Sequence, residues 1–115
     1  MTKVPARTRR HIPTLEFLHK SKPEIRKQII SGASKELIEC ICDWTKNVLN
    51  GNIPLSKYKR KRLSAHKCSL RRLVRKDIPI RHKKRMFNQN GGMFMTLLSS
   101  ILPVVTGLLG NLFKK

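Results

Sequence analysis

The sequence predicts an all-α protein: a small bundle of three to five short helices, with a basic N-terminal arm and a C-terminal apolar helix. Apolar residues recur at helical spacing, most clearly Leu37, Ile41, Trp44 and Val48 at steps of four, three and four. No stretch alternates polar and apolar residues in the manner of a half-buried strand. Cap residues, prolines and glycines punctuate the chain at helical lengths, as Gly32 and Ser34 do. At 115 residues the chain is one small domain's worth. Leu, Ile, Val and Phe make up 33 of them, above the roughly 20% below which a charged chain stays disordered. A core this thin leaves room for an anionic partner to complete the folding.

The elements follow in order. Residues 1–13 read as a basic arm, after which Thr14 caps a two-turn helix carrying Leu15, Phe17 and Leu18. Ser21, Pro23 and Glu24 form S-x-P-E, a capping box with proline where a missing N–H costs nothing, and Ile25, Ile29 and Ile30 supply the apolar face of a second helix to about Ser31. Gly32 breaks it and Ser34 caps the third, which ends at Asn50-Gly51. The polar face of that third helix carries Lys35, Glu36, Glu39, Asp43 and Lys46, so residues 14–52 read as scaffold. Residues 53–90 form a cationic helical segment beginning at Leu55 and Ser56, in which Leu63, Leu70, Leu73 and Val74 dock one face on the third helix. Asp77 with Pro79 marks a further helix start, leading to a stop at Gly91-Gly92. Residues 93–115 are the apolar helix.

Charge carries the functional argument. Lys and Arg number 26 against six acids, a formal +20, which disfavours an enzyme for neutral metabolites and points to a polyanion. Split at Asn52 and Gly92, the chain holds ten cations with five acids, then fourteen with one, then two with none. The expected nucleic-acid-binding set is Lys57, Lys59, Arg60, Lys61, Arg62, Lys67, Arg71, Arg72, Arg75, Lys76, Arg81, Lys83, Lys84 and Arg85. Tyr58 is the lone tyrosine there, so backbone contact with duplex is favoured over stacking on single strands. No zinc finger, RNA-recognition sheet signature or KH loop is present. KYKRKR alone would serve as a nuclear targeting signal, but the charge continues well beyond it. His11, His19, His66 and His82 stand among basic residues with no nucleophile, carboxylate pair or glycine loop around them, so neither catalysis nor a cofactor is expected. Cys40 and Cys42 point about 200° apart on a helix and, with His66 and Cys68, match no familiar zinc spacing. No metal is therefore expected; the thiols read as buried or inert. Three cysteines and no apolar stretch after the basic start suggest a reducing compartment.

From Met93 to Phe113 no residue is charged, and as a helix this run would be about 30 Å long. Thr96, Ser99, Ser100, Pro103, Thr106, Gly107, Gly110 and Asn111 fall on one stripe, with a kink expected at Pro103. Phe94, Leu97, Leu98, Ile101, Leu102, Val105, Leu108, Leu109 and Leu112 make up the other face. That face suits interfacial insertion into an anionic membrane, helix association in an oligomer or assembly, or completion of this domain's own core. A permanent membrane anchor is weakened by the glycines, the proline and the hydroxyl and amide side chains.

The segment RHKKRMFNQNGGMFMTLLSSILPVVTGLLGNLF, from Arg81 to Phe113, resembles the precursor of the adenovirus core protein X and its relatives in adenovirus-like Maverick or Polinton elements. The resemblance covers under a third of the chain. It implies a virion protein, in the host nucleus during assembly, whose basic part condenses duplex DNA and whose partners include capsid proteins and a viral cysteine protease. That protease cuts after Met, Ile, Leu, Asn or Gln, any residue, and two glycines. Gln89-Asn90-Gly91-Gly92 fits, with Met93 following. Independently, two glycines beside a scissile bond suit a protease that threads an extended strand, and the competing reading is a helix stop and hinge. The leading expectation is a non-enzymatic DNA-binding minor virion protein using residues 55 to 87, with the tail separable from that role. Its rivals are a membrane-active virion protein and a ribosomal or chromatin-like binder.

Overall fold

A computed structural model describes residues 6–113, with side chains through Thr106. Among them lie seven helices and no strand: α1 (Ala6–Lys20), α2 (Pro23–Ser31), α3 (Lys35–Leu49), α4 (Lys57–Ser64), α5 (Lys67–Leu73), α6 (Ile80–Gln89) and α7 (Gly91–Phe113). The all-α expectation holds. The count exceeds three to five because breaks at Ala65-His66 and Val74–Pro79 divide the cationic segment into three short helices.

Helix α3 forms as the stripe predicts. The Ser34 hydroxyl accepts from the Leu37 N–H at 3.1 Å, and Gly51, at φ 75°, takes the left-handed conformation that ends the helix. Burial extends beyond the stripe to Ile38, Cys40, Cys42 and Thr45, because α1, α5, α6 and α7 all pack on α3. Helix α2 corrects the predicted capping box: Lys22 is the N-cap and makes no side-chain cap bond, while the Ser21 hydroxyl donates back to the Phe17 carbonyl at 2.6 Å. Pro23 does occupy the first turn. Of the three isoleucines, Ile30 is buried and Ile25 is exposed. Arg26 is buried in α2 instead, donating to the Ser21 carbonyl at 3.3 Å.

The expected basic arm is helical from Ala6, eight residues before Thr14, and contains Pro13. An interior proline costs about 3 kcal/mol. What offsets it is packing against the rest of the domain: Thr8, Ile12, Leu15 and Leu18, at steps of four, three and three along α1, are buried, and Thr8 accepts from Trp44 Nε1 at 2.9 Å.

Helix α7 brings the largest correction. Gly91 and Gly92 are its first turn, with α6 ending at Gln89 and Asn90 joining the two helices, so the double glycine starts a helix instead of stopping one. Phe94, Leu97, Leu98, Ile101, Leu102 and Val105 are all buried with Met93 in the single core, against α1, α4, α6 and α3. The face expected to meet a membrane or assembly is therefore this domain's own interior as far as Val105; the side chains of Leu108, Leu109 and Leu112 lie outside the described residues. No helix among the described residues is long and apolar enough to cross a membrane. The polar stripe is accommodated within the helix: Thr96, Ser100 and Thr106 donate to the carbonyls of Gly92, Thr96 and Leu102, each four residues back, at 2.7 to 2.9 Å. At roughly 1.5–3 kcal/mol per large side chain, the buried face contributes on the order of 10–20 kcal/mol before conformational entropy, comparable with a whole domain's net stability. The tail is thus not separable from the fold.

Candidate nucleic-acid interface

The acids determine which cations are left over. Glu36, Glu39 and Asp43 point from α3 toward α1, where Arg10 Nη2 and His11 Nε2 meet Glu36 Oε1 at 2.9 and 3.0 Å. Arg7 pairs with Asp43 and lies 3.8 Å from Glu39. The Arg10 hydrogen bond, then that from His11, holds the Glu36 carboxyl below its ordinary value. Asp77, the one acid among the cationic helices, is gripped through both oxygens by Arg75 at 3.0 and 2.6 Å, and that bond likewise lowers its pKa.

Helix α4 starts where Ser56 caps it, accepting from the Lys59 N–H at 3.2 Å. Leu63 turns inward and Lys57, Arg60, Lys61 and Arg62 turn out. Arg62 lies 5.5 Å from the centre of the exposed Tyr58 ring and donates to its hydroxyl at 2.9 Å. In α5, Leu70 and Leu73 go to the core and Lys67, Arg71 and Arg72 to solvent. Helix α6 buries Phe87, whose ring centre is 4.7 Å from that of Phe94, and exposes Arg81 and Arg85. Val74 is only partly buried, and α4 packs on α7 instead of α3, so the predicted docking face splits between two supports.

Of the fourteen expected cations, the eleven from Lys57, Arg60, Lys61 and Arg62 through Lys67, Arg71, Arg72, Arg75 and Lys76 to Arg81 and Arg85 are exposed. Three are not free surface groups. Lys59 Nζ donates to the Ser99 carbonyl at 2.8 Å, tying α4 to α7, and Lys84 Nζ donates to the Ser31 carbonyl at 3.2 Å, tying α6 to α2. Lys83 is buried, because it follows Ile80 by three residues on the inward side of α6. Arg9, Lys20, Lys22, Lys27 and Lys35, outside the expected set, are exposed too. Their signal was the excess of ten cations over five acids in the first 52 residues.

Burial pushes the Cys42 thiol up to about 11 and raises that of Cys40, so both stay protonated at neutral pH; Cys68 is exposed. Among the described residues no three His, Cys, Asp or Glu side chains gather as metal ligands. At the expected cleavage site, Gly91 and Gly92 are helical and Met93 is fully buried, so the folded chain presents no extended strand there. Compared with protein-family models, curated proteins and solved structures, the chain matches none.

Proposed function

We propose that this protein is a non-enzymatic, DNA-binding minor virion protein that neutralises and condenses duplex DNA without reading its bases. The observation that carries this is the segregation of charge: α3's acids engage α1, while α4 to α6 expose eleven cations and hold a single acid, already gripped by Arg75. Short helices bearing Lys and Arg in every turn suit phosphate neutralisation, and the lone Tyr58 offers too little aromatic surface to bind unpaired bases in series. The virion setting, the nuclear stage of assembly and the capsid and protease partners rest on the resemblance around Gly91-Gly92.

A gel shift on mixed-sequence duplex at several salt concentrations tests the proposal. If six or more phosphates are neutralised, affinity falls about a thousandfold or more between 50 and 200 mM salt. Affinity that hardly changes over that range removes phosphate neutralisation as the mechanism. A duplex of one particular sequence bound far more tightly than the rest would remove the non-specific reading.

A further inference from the structure

We propose that the cleft between α3 and the α5–α6 connection is a binding site for a phosphate-bearing anion, with Lys83 at its base and Lys76, Lys35 and Lys46 around it. The cleft encloses about 730 Å³. One wall is the polar side of α3, and the other is the chain from Val74 to Ile80 together with Lys83.

Lys83 is the reason to expect a ligand. Only 7% of the residue is exposed, yet among the described residues its ammonium has no ion pair and no hydrogen bond. No fully buried side-chain nitrogen or oxygen lacks a partner, so this ammonium ends in the cleft, where solvent can reach it. Lysine normally buries its methylenes while its head seeks open water; here the head is confined to a concave pocket instead. Its stem is already held by burial, so little side-chain freedom is lost when an anion meets the ammonium there.

The acids lining the cleft, Glu39 and Asp43, are outnumbered by the four lysines and Arg7, which leaves the cleft net positive. Glu39 and Asp43 both face Arg7, which reaches them from α1. Cys42 beneath them donates its thiol to the Leu73 carbonyl at 3.4 Å and, with its high pKa, adds no negative charge. Four lysines on one concave surface concentrate positive potential, and phosphate oxygens can accept from several ammonium groups at once. The site shares Lys76 with the eleven cations of the duplex-binding reading and otherwise draws on Lys35, Lys46 and Lys83, which are not among them.

Isothermal titration of the full chain with inorganic pyrophosphate at about 0.15 M salt tests it. The expected result is one saturable site per chain, weakened about tenfold or more by Lys83→Met and by Lys76→Gln, and unchanged in a Lys57→Gln, Lys61→Gln control. Circular dichroism checks folding; if Lys83→Met fails to fold, the exposed Lys76→Gln decides. Absence of a saturable site, or equal loss in the control, overturns the proposal by showing diffuse charge. Repeating the titration on protein saturated with a short duplex separates the sources. Loss of the pyrophosphate site assigns the cleft to a DNA backbone phosphate, and retention assigns it to a free anion. A normal gel shift with no pyrophosphate site would sink the cleft alone, and the converse would sink only the duplex reading.

Discussion

Thr8 shows how much one small side chain can decide. It is 4% exposed, and its hydroxyl oxygen accepts from both Trp44 Nε1 and the Cys40 thiol, at 2.9 and 3.6 Å. Thr8→Val keeps the volume but leaves the indole N–H without an acceptor, so unfolding in denaturant should reveal a loss of about 1–3 kcal/mol. A loss no larger than that of an exposed substitution would mean Trp44 finds another partner. At the same interface, the Glu36 pKa lies below its ordinary 4.5 in the folded protein. A depressed carboxyl stabilises the fold above its unfolded pKa, and that contribution disappears as pH falls through the folded value. Glu36→Gln should therefore flatten the acid side of the stability profile below about pH 5 without changing its neutral side's slope. The pair is solvent-exposed, so the effect is small and is best read as a difference between the two profiles.

At the scale of the helix, α7 sets the terms. Because Met93 to Val105 fill the core, deleting residues 93–115 should abolish the cooperative thermal transition and weaken DNA binding with it, contrary to the separability that the composition suggests. A milder probe is Leu97→Ala, at a fully buried position, expected to cost about 2–5 kcal/mol. The complementary change is on α4: Lys57, Arg60 and Lys61 to Ala should leave the melting transition nearly intact and lower the salt slope of duplex binding by about three units. Lys59 is excluded from that set because its bond to the Ser99 carbonyl makes it part of the α4–α7 contact. If the α4 triple variant binds duplex normally, the interface lies elsewhere on the cationic surface.

Across the whole molecule, one core joins parts whose compositions differ sharply. The Cα radius of gyration, 13.6 Å, is that of a single compact domain of this length, about 13 Å. Maturation after Gly92 then requires α7 to leave the core, since the bond lies in a helical turn beside a fully buried Met93. Cleavage at Gly92-Met93 by a Gly-Gly-specific protease should be slow on the wild-type chain and faster on Leu97→Ala, because local opening limits it. Equal rates on both would show that the first turn opens without disturbing the core. If the protein is packaged and matured as proposed, mass spectra of purified virus particles should contain a fragment ending at Gly92; intact chain alone would remove the maturation reading.

The sequence alone determined the helical class, the stripe and Ser34 cap of α3, the proline start of α2 and the concentration of charge between residues 53 and 90. All of these are properties of residues close together in the chain: a cap needs a hydroxyl three residues away, and an amphipathic face needs only its own spacing. Tertiary structure alone decided that α1 begins at Ala6 despite Pro13, that Gly91-Gly92 opens a helix, that the apolar tail turns inward and that Lys83 ends in a cleft. Each of those depends on what covers a face, and the covering residues are remote: Trp44 stands 36 positions from Thr8, and Lys59 reaches the Ser99 carbonyl across 40. Apolar periodicity records that a helix has something to bury. Which partner buries it is settled only when all seven helices compete for the same small core.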